Sequence, residues 1–309
     1  MTTLPTPERP TDDTGDAADP RDAATAVFEQ HRGSLVGAAY RILSSHSDAE
    51  DVVQEAWLRW REVDLDTIDE PRAYLLTVTT RLALNRIRQL RSRREAYVGP
   101  WLPEPVATDP RDDGAAAAEL ADDVSMAMLI VLESLSPLER AAFVLTEVFG
   151  MPAPEVATTL DRSPAAVRQL VHRARSHVEA RRPRSVVDTA RHRQVVERFL
   201  AAATGGDVEG LFEVLAPDVT LVSDGGGIRK AALRPIHSAD KVIRWLAAVM
   251  NRPEAQLVTG AEVRVVNGED AVVFLTADGV DSVWFLTVEG DRAVRLHGVR
   301  NPEKLHAVS

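Results

Sequence analysis

Apolar residues recur at helical spacing through the first part of the chain and give way to strand-like alternation near its end. Between about residues 22 and 95, and again between 121 and 184, the repeat of three to four residues predicts amphipathic helices. Further helical patterns at 189–203 and 207–215 precede beta-rich segments separated by glycine-containing turns. Those segments are 218–223, 257–266, 271–277, 282–289 and 293–299. The pattern predicts a multidomain fold, in which an α+β domain follows two all-α domains.

Proline, glycine and acidic residues mark the boundaries between these domains. Residues 1–21 are rich in Pro, Thr, Asp and Ala and lack apolar periodicity, which predicts a disordered tail. The prolines, glycines and aspartates of 96–120 predict an extended linker, and Pro183 ends the second helical pattern. The predicted units are therefore a tail at 1–21, helical domains at 22–95 and 121–184 joined by the linker 96–120, and the α+β domain at 188–309.

Length and composition exclude several classes of protein. A chain of 309 residues fits two or three domains, and the absence of cysteine excludes disulfides, thiolate metal sites and cysteine nucleophiles. No apolar run reaches membrane-spanning length, and residues 1–21 lack the apolar core of a signal peptide. These features predict a cytoplasmic protein without a membrane partner.

The distribution of charge changes the first impression given by the net charge. A net charge of −11 argues against nucleic acid as a partner, because phosphate binding requires a basic surface. Two segments have a local positive charge. Residues 81–95 contain six arginines and one acidic residue, and residues 161–184 contain seven arginines and two acidic residues. Two concentrated basic helices in an acidic protein indicate contacts with nucleic acid.

An acidic amphipathic helix precedes the first basic segment. Val52, Val53 and Ala56 recur at helical spacing and can pack against a core, which leaves the polar residues outside. Those outer residues are Asp48, Glu50, Asp51, Gln54 and Glu55. An acidic surface beside a basic one suggests two partners, although a solvated charged helix would give the same pattern.

The second helical domain has the pattern of a helix-turn-helix. A helix capped at Ser136 ends near Phe149, a short helix spans 152–160, and a long helix runs from Ser163 to about Arg181. On its outer face, Arg168 and Gln169 suit bidentate pairing with guanine and adenine. His172, Arg173 and Arg175 suit phosphate contacts. A helical hairpin with a solvated basic face is the alternative.

The acidic stretch Asp48–Leu58 resembles the region-two helices of extracytoplasmic-function (ECF) sigma factors, the promoter-specificity subunits of bacterial RNA polymerase, and 136–181 resembles their region four. The resemblance implies that core RNA polymerase is bound by Asp48, Glu50, Asp51, Gln54 and Glu55. It implies that the minus-ten promoter element is melted and held by Arg81, Asn85, Arg86, Arg88 and Arg91. It implies that the minus-thirty-five element is read by Ser163, Arg168, Gln169, His172, Arg173 and Arg175. Asn85 stands where many relatives carry Asp.

Three further segments match the signature of sigma factors with a fused SnoaL-like domain. Their residues are Trp101, Leu102 and Pro103 in the linker, Asp224, Gly225, Gly226 and Gly227 in the third domain, and Asn301, Pro302, Glu303 and Lys304 near the C-terminus. Two positions depart from that signature, because Ile228 and Arg229 precede Lys230 and Glu303 replaces Asp. We expect the three segments to meet at one interdomain surface, through which the third domain regulates the DNA-binding units.

The resemblance also implies a cone-shaped sheet around an apolar cavity. Candidate lining or core residues are Phe199, Phe212, Trp245, Phe274, Trp284 and Phe285. Asp224, His237, Asp240 and His297 are the conceivable acids and bases, but all three tyrosines lie upstream, which removes the usual oxyanion donor. The sequence predicts no catalytic residues, cofactor or metal, and leaves open whether the cavity binds a small ligand.

The sequence thus predicts a sigma factor regulated by its C-terminal domain, with core RNA polymerase and promoter DNA as partners. Two alternatives stay open. One is a ligand-responsive helix-turn-helix regulator that never contacts polymerase, and the other is a SnoaL-like enzyme tethered to helical domains. The acidic pattern at 48–58 discriminates against both, because neither needs it.

Overall fold

The first helical unit contains three helices that pack on one another. The computed structural model describes residues 20–108, 125–181 and 188–308. Within them, α1 spans Pro20–Leu43, α2 His46–Trp60 and α3 Pro71–Glu95, with a short 3-10 turn at Leu65–Thr67. The predicted disordered tail at 1–21 falls almost entirely outside the described residues. The predicted end of the linker at residue 120 and the predicted start and end of the second helical domain, at 121 and 184, also lie outside them.

Helix α2 forms where the acidic pattern predicts it. The Ser45 hydroxyl accepts a hydrogen bond from the Asp48 backbone N–H at 3.2 Å and caps the helix. The buried face consists of Ala49, Val52, Val53, Ala56 and Trp60. The Trp60 indole donates to the Ala24 carbonyl at 2.9 Å, so this ring serves the core.

The second unit has the predicted helix-turn-helix. Helix α4 spans Met126–Glu133, α5 Pro137–Phe143, α6 Ala153–Leu160 and α7 Pro164–Arg181, and Val144–Val148 continues α5 as a π-helical turn. Ser136 and Glu139 form a capping box at the start of α5. Asp161 takes a left-handed conformation (φ 54°) in the tight turn between α6 and α7.

The two helical units pack directly against each other. One apolar cluster contains Leu35 and Trp60 of the first unit together with Leu145 and Val156 of the second. Because burial of apolar surface is the main favourable term in association, this shared core holds the first helical unit against the second.

The third unit is a mixed, open sheet with helices on one face. It contains α8 (Thr189–Gly205), α9 (Val208–Val214), β1 (Leu215–Asp224), β2 (Ile236–His237), α10 (Ala239–Met250), β3 (Val258–Val266), β4 (Glu269–Thr276), β5 (Gly279–Glu289) and β6 (Arg292–Val299). The strand order is β2-β1-β6-β5-β4-β3, and β1 and β6 pair in parallel while the other neighbours are antiparallel. The predicted fold class is confirmed. Strand β2 and helix α10 were not predicted from the sequence, although Val242, Ile243 and Leu246 of α10 are buried on one face at helical spacing.

The two faces of the sheet are covered differently. The concave face packs on the unit's own helices, with Phe199 and Trp284 in its core. The opposite face buries residues from three distant segments, namely Leu102, Met126, Leu305 and Val308, against Phe285 and its neighbours. The third unit therefore shares a hydrophobic core with the linker and with the start of the second helical unit.

Candidate nucleic-acid interface and interdomain contacts

The acidic residues of α2 line one edge of a groove between α2 and α3. Asp51, Gln54 and Glu55 are exposed, whereas Asp48 and Glu50 are partly buried. The groove encloses about 250 Å³ and is bordered by Asp51, Glu55, Asn85 and Arg86, among others. Residues predicted for polymerase and residues predicted for the minus-ten element thus share one groove.

Arg86 connects the two sets of residues through ion pairs. Its guanidinium lies 2.6 Å from the Asp48 carboxylate and 3.3 Å from that of Asp51. Neighbouring pairs join Glu50 to Arg32 and Glu55 to Arg59 at 2.5 Å and 2.7 Å. Part of the predicted basic face is therefore neutralised by the predicted acidic face.

The other predicted minus-ten residues differ in their surroundings. Arg88 donates to the Asn85 side-chain oxygen at 2.5 Å, and Arg91 pairs with Glu95 at 2.9 Å, all on the exposed face of α3. Arg81 instead turns toward α6 and donates to the backbone carbonyls of Thr158 and Thr159 at 2.8 Å and 3.0 Å. In this arrangement the side chain of Arg81 is hydrogen-bonded to the helix-turn-helix unit.

Helix α7 presents the predicted recognition face to solvent. Val167, Leu170, Val171, Ala174 and Val178 are buried, as the spacing predicts. The predicted base and phosphate contacts Ser163, Arg168, Gln169, His172, Arg173 and Arg175 are all exposed. The Ser163 hydroxyl accepts the Ala166 N–H at 3.2 Å and so caps the helix.

Two arginines later in α7 already have acidic partners. Arg173 lies 2.7 Å from Glu139 of α5, and Arg175 lies 2.8 Å from Glu147. Hydrogen bonds from Arg173 and Ser136 lower the pKa of Glu139. Arg168 and Gln169, in the first turns of α7, are exposed, and their role as base contacts stays a prediction.

The three signature segments meet at Asp224, whose carboxylate bonds both the linker and the C-terminal segment. Asp224 is fully buried at the end of β1. Its Oδ1 accepts from the Tyr97 hydroxyl at 2.6 Å, and its Oδ2 accepts from the Leu102 N–H at 2.9 Å and from Lys304 Nζ at 2.7 Å. We define the Asp224 clamp as Tyr97, Trp101, Leu102, Asp224, Asn301 and Lys304.

Lys304 is the second centre of the Asp224 clamp. Its Nζ also donates to the Leu102 carbonyl at 2.5 Å and lies 3.9 Å from the centroid of the Trp101 ring. On the same ring, the Arg94 guanidinium lies 4.2 Å from the centroid. Burial lowers the pKa of Lys304 to about 8, while the nearby Asp224 carboxylate acts to raise it.

Tyr97 and Asn301 close the Asp224 clamp on its other side. The Asn301 amide donates to the Tyr97 hydroxyl at 2.9 Å, and this hydroxyl donates to Asp224. Burial and the hydrogen bond to Asp224 raise the pKa of the Tyr97 phenol. The sequence pattern gives Tyr97 no role, because its partners Asp224 and Asn301 lie more than a hundred residues away.

The glycines after Asp224 are required by the closeness of this packing. Gly226 has a φ of 62°, and a Cβ there would lie 2.4 Å from the Asn301 side chain. A Cβ on Gly225 would lie 2.1 Å from the Arg229 carbonyl oxygen. Larger residues would push the loop away from Asn301 and Tyr97.

The linker makes a second set of contacts that the sequence analysis missed. The Glu104 carboxylate accepts from the Ser47 N–H at 2.9 Å and from the Ser45 hydroxyl at 3.1 Å, at the start of α2. The Tyr40 hydroxyl donates to the Glu104 carbonyl at 2.5 Å and accepts from the Asn267 amide at 2.7 Å. The linker is thus fixed both to the acidic helix and to the third unit.

Beyond Glu104 the linker runs along an edge of the sheet. Asn267 exchanges hydrogen bonds with Val106, and Ala107 forms an antiparallel bridge with Val266 of β3. At the start of α4, the Met126 N–H donates to the Glu269 carboxylate at 2.8 Å. Asn267 and Gly268 both have positive φ and form the turn between β3 and β4, as is typical of an Asn-Gly pair.

The four conceivable acids and bases lie away from the cavity of the third unit. Asp224 belongs to the clamp, His237 bonds Thr220 near the surface, and Asp240 pairs with Arg244. His297 is buried on the sheet face toward α4, and burial lowers its pKa to about 4.

A cavity of about 260 Å³ lies between α8, α10 and the concave face of the sheet. Phe199, Phe274 and Trp284 line it, as predicted. One aromatic prediction was wrong, because Phe212 is 44% exposed on α9. Phe285 is a core residue, although it packs on the opposite face of the sheet from the cavity. Among the described residues, no group of three or more His, Asp or Glu side chains could hold a metal ion. None of the described helices has the length and apolar character that a membrane span needs.

Family models match all three units of the chain. Sigma-70 region 2 matches residues 27–93, Sigma-70 region 4 matches 125–178, and a SnoaL-like domain matches 196–300. The first match covers most of helices α1 to α3, the second covers most of helices α4 to α7, and the third covers the mixed sheet. The fold and the matches define a two-region sigma factor with a fused third domain.

Curated relatives and a solved structure give the narrower family. The ECF RNA polymerase sigma factor SigJ of Mycobacterium tuberculosis is 43% identical over 244 residues, which cover 78% of each chain. The probable ECF RNA polymerase sigma factor SigI of the same species is 34% identical over 286 residues, covering 92% of this chain and 95% of that protein. The crystal structure of M. tuberculosis SigJ is similar with a TM-score of 0.75 and 37% identity, covering 92% of this chain and 98% of that one. The chain belongs to the ECF sigma factor family.

Proposed function

We propose that this protein binds core RNA polymerase and directs it to specific promoters as a sigma factor. The observation that carries the proposal is the presence, in one chain, of an exposed acidic helix of region two and an exposed recognition helix of region four. A DNA-binding regulator needs only the second. A protein with both can connect polymerase to a chosen DNA sequence.

In this proposal the acidic side of α2 contacts polymerase. Asp51, Gln54 and Glu55 are exposed on a helix whose opposite face is firmly buried. The ion pairs of Asp51 with Arg86 and of Glu55 with Arg59 are partly solvent-exposed and therefore weak, so a stronger basic partner can replace them. Competition of this kind would break the pair between Arg86 and Asp51 as polymerase binds, while Arg86 keeps its closer pair with the partly buried Asp48.

The recognition helix reads the minus-thirty-five element. The exposed side chains of Arg168 and Gln169 stand near the N-terminal end of α7, the end that contacts base edges in helix-turn-helix proteins. Both side chains can make bidentate hydrogen bonds with a purine. Arg175, two turns later, suits a phosphate contact.

The arrangement in this structure is too compact for both promoter elements at once. The names of the two elements place them about 25 base pairs apart, roughly 85 Å along B-DNA at ~3.4 Å per base pair. Arg81 of α3 nevertheless donates to the Thr158 and Thr159 carbonyls of α6. Promoter binding therefore requires region two and region four to separate.

Release of the linker would permit that separation. Between α3 and α4 the chain could extend to about 100 Å if fully released, but only about 55 Å if residues up to Thr108 stayed docked. Docking fixes Leu102 on Asp224 and Met126 on Glu269, so both ends of the linker are held by the third unit. The Asp224 clamp would thus regulate how readily the sigma factor opens.

Run-off transcription tests the proposal directly. Core RNA polymerase, this protein and a library of randomised promoters should give transcripts from a restricted set of sequences with two conserved elements. Polymerase without the protein provides the control for background initiation. Selective DNA binding by the protein without any dependent transcript would support the alternative of a regulator that does not contact polymerase.

A further inference from the structure

The cavity of the third unit is apolar at its open end and polar at its closed end. Met250 lines it and is 39% exposed, which places the mouth at the end of α10, and Leu257 nearby is 61% exposed. At the other end, Arg300 and Asp281 line the cavity with almost fully buried side chains whose charged atoms lie 3.2 Å apart. Most of the lining is thus apolar, the buried charged groups lie together at Arg300 and Asp281, and Thr204 adds one exposed hydroxyl to the lining.

The apolar walls are held in place by the sheet. Trp284 of β5 lies against Gly298 of β6, where a Cβ would come within 2.6 Å of the indole ring. The indole N–H donates to the Ser282 hydroxyl at 3.1 Å, and the ring packs on Trp245 with centroids 6.1 Å apart. Because the ring has its hydrogen bond and its packing already, the cavity is preformed.

The polar end carries no net charge. Arg300 donates to the Asp281 carboxylate and, through its other terminal nitrogen, to the Lys230 carbonyl at 2.9 Å. An ionised ligand would lose its hydration here without a countercharge, whereas a neutral oxygen needs only one hydrogen bond. The charge balance of the site therefore selects against ionised ligands.

We propose that this cavity is a binding site for a small, neutral, mainly apolar molecule with one carbonyl or hydroxyl oxygen. The apolar body lies against Phe199, Phe274 and Trp284, and the oxygen faces Arg300 and Asp281. A cavity of about 150 Å³ holds benzene, so one of this size accepts a substituted aromatic ring or a short aliphatic chain.

Arg300 connects the cavity to the Asp224 clamp. Its backbone N–H donates to the Asp224 carbonyl at 2.7 Å, and the next residue is Asn301, which bonds Tyr97. A ligand that moves Arg300 changes the position of both clamp residues. Binding itself is independent of sigma factor activity, whereas an effect on transcription rests on the proposed function.

A titration of the full chain with three related probes tests the ligand class. Acetophenone carries a neutral carbonyl, cumene has a similar shape without oxygen, and benzoate is an anion. We expect saturable binding of acetophenone in ligand-observed NMR, about tenfold or more tighter than that of cumene or benzoate. Equal or tighter binding of benzoate, or no saturable binding of acetophenone, would overturn the proposal.

Two alanine-to-leucine variants on the same helix locate the binding. Ala203 is buried on α8 and lines the cavity, whereas Ala201 is exposed on that helix. Ala203→Leu should weaken acetophenone binding about tenfold or more by filling the cavity, and Ala201→Leu should leave it unchanged. If Ala203→Leu fails to fold, the comparison of the three probes on the unmodified chain still tests which class of ligand binds. Equal affinities in both folded variants would place the probe elsewhere.

Hydrogen exchange tests the connection to the Asp224 clamp without using transcription. Saturating acetophenone should change the exchange rates of the linker segment 97–108, and Ala203→Leu should shift that change to about tenfold or more higher acetophenone concentration. Binding with no change in this segment would overturn the connection through Arg300, while failure of transcription assays alone would bear only on the proposed function.

Discussion

Lys304 Nζ lies 2.7 Å from the Asp224 carboxylate, and both side chains are buried. The pair joins the end of β1 to the C-terminal tail, and Leu102 of the linker bonds both partners through its backbone. Breaking a buried ion pair by removing one partner is costly, because a charge is left without compensation. The linker is therefore attached at a point where few substitutions are tolerated.

Lys304→Met should release the linker while leaving the third unit folded. Asp224 keeps three donors, from Tyr97, Leu102 and Gly226. The variant loses the ion pair with Asp224, the bond to the Leu102 carbonyl and the contacts of Nζ with the rings of Trp101 and Tyr97. We expect a loss of about 3–5 kcal/mol at most in the free energy of unfolding, and faster hydrogen exchange in 97–108. Lys241→Met, on the exposed face of α10, is the control. Unchanged exchange in 97–108 would show that the ion pair does not hold the linker.

Loosening the Asp224 clamp should alter transcription without abolishing promoter choice. Trp101 lies between the cations of Arg94 and Lys304, so Trp101→Ala removes the surface on which both rest. A chain ending before Asn301 loses the tail side of the same contacts and should act in the same direction. In vitro transcription at equal folded concentration measures the effect, with the exposed aromatic change Phe212→Ala as control. Identical output from all four proteins would make the third unit a passenger or a separate enzyme.

Local signals explain how much of the fold was predictable. The caps at Ser45 and Ser136 and the left-handed turn at Asp161 act within a few residues, and the helices next to them were predicted close to where they lie. Phe212 was placed wrongly because α9 buries Leu211 and Val214 instead, and a seven-residue helix gives too little periodicity to choose a face.

Contacts across long sequence separations explain what was not predictable. Periodicity places Arg81 and Arg86 on the outside of α3, yet it does not distinguish an arginine facing solvent from one facing another unit. The structure turns Arg81 to the carbonyls of α6 and Arg86 to the carboxylates of α2. Glu104 and Asn267 likewise acquire their roles only when the linker lies between the first and third units.

Reversing charge on α2 should weaken polymerase binding and leave the fold intact. Asp51 and Glu55 are exposed and one helical turn apart, and their ion pairs are partly solvated. We expect Asp51→Lys with Glu55→Lys to reduce capture of core polymerase, with a change of about 0.5–1 kcal/mol in the free energy of unfolding. The same double change at Glu209 and Glu213, also exposed and one turn apart on α9, is the matched control. Equal capture by both double variants would contradict a polymerase contact on α2.

Two arginines of α7 should differ in what they contribute to DNA binding. Arg168→Ala should relax base preference at one or two promoter positions, at a cost of about 1–3 kcal/mol. Arg175→Ala should weaken binding evenly across sequences and reduce its salt dependence, because a phosphate contact carries no sequence information. Binding to a panel of single-base promoter variants separates the two effects. Uniform losses in both variants would mean that Arg168 does not read a base.

Glu269 should make stability depend on pH near neutrality. Its carboxylate accepts the Met126 N–H at the start of α4, and burial, together with the neighbouring Asp270, raises its pKa from 4.5 to about 7. The folded chain therefore binds more protons than the unfolded chain between these values, so this residue's contribution to stability falls as pH rises from about 4.5 to about 7.

The variant Glu269→Gln isolates that contribution, because its amide oxygen can still accept the Met126 N–H but cannot titrate. His297, whose pKa burial lowers to about 4, gives an opposite slope that is common to both proteins and cancels in their difference. Urea unfolding at several pH values across this window should show the unmodified chain losing stability relative to Glu269→Gln as pH rises. Glu262→Gln, at an exposed position of β3, should show no such divergence. Parallel stability curves for Glu269→Gln and the unmodified chain would mean that the carboxylate titrates normally and that α4 is attached to the third unit independently of pH.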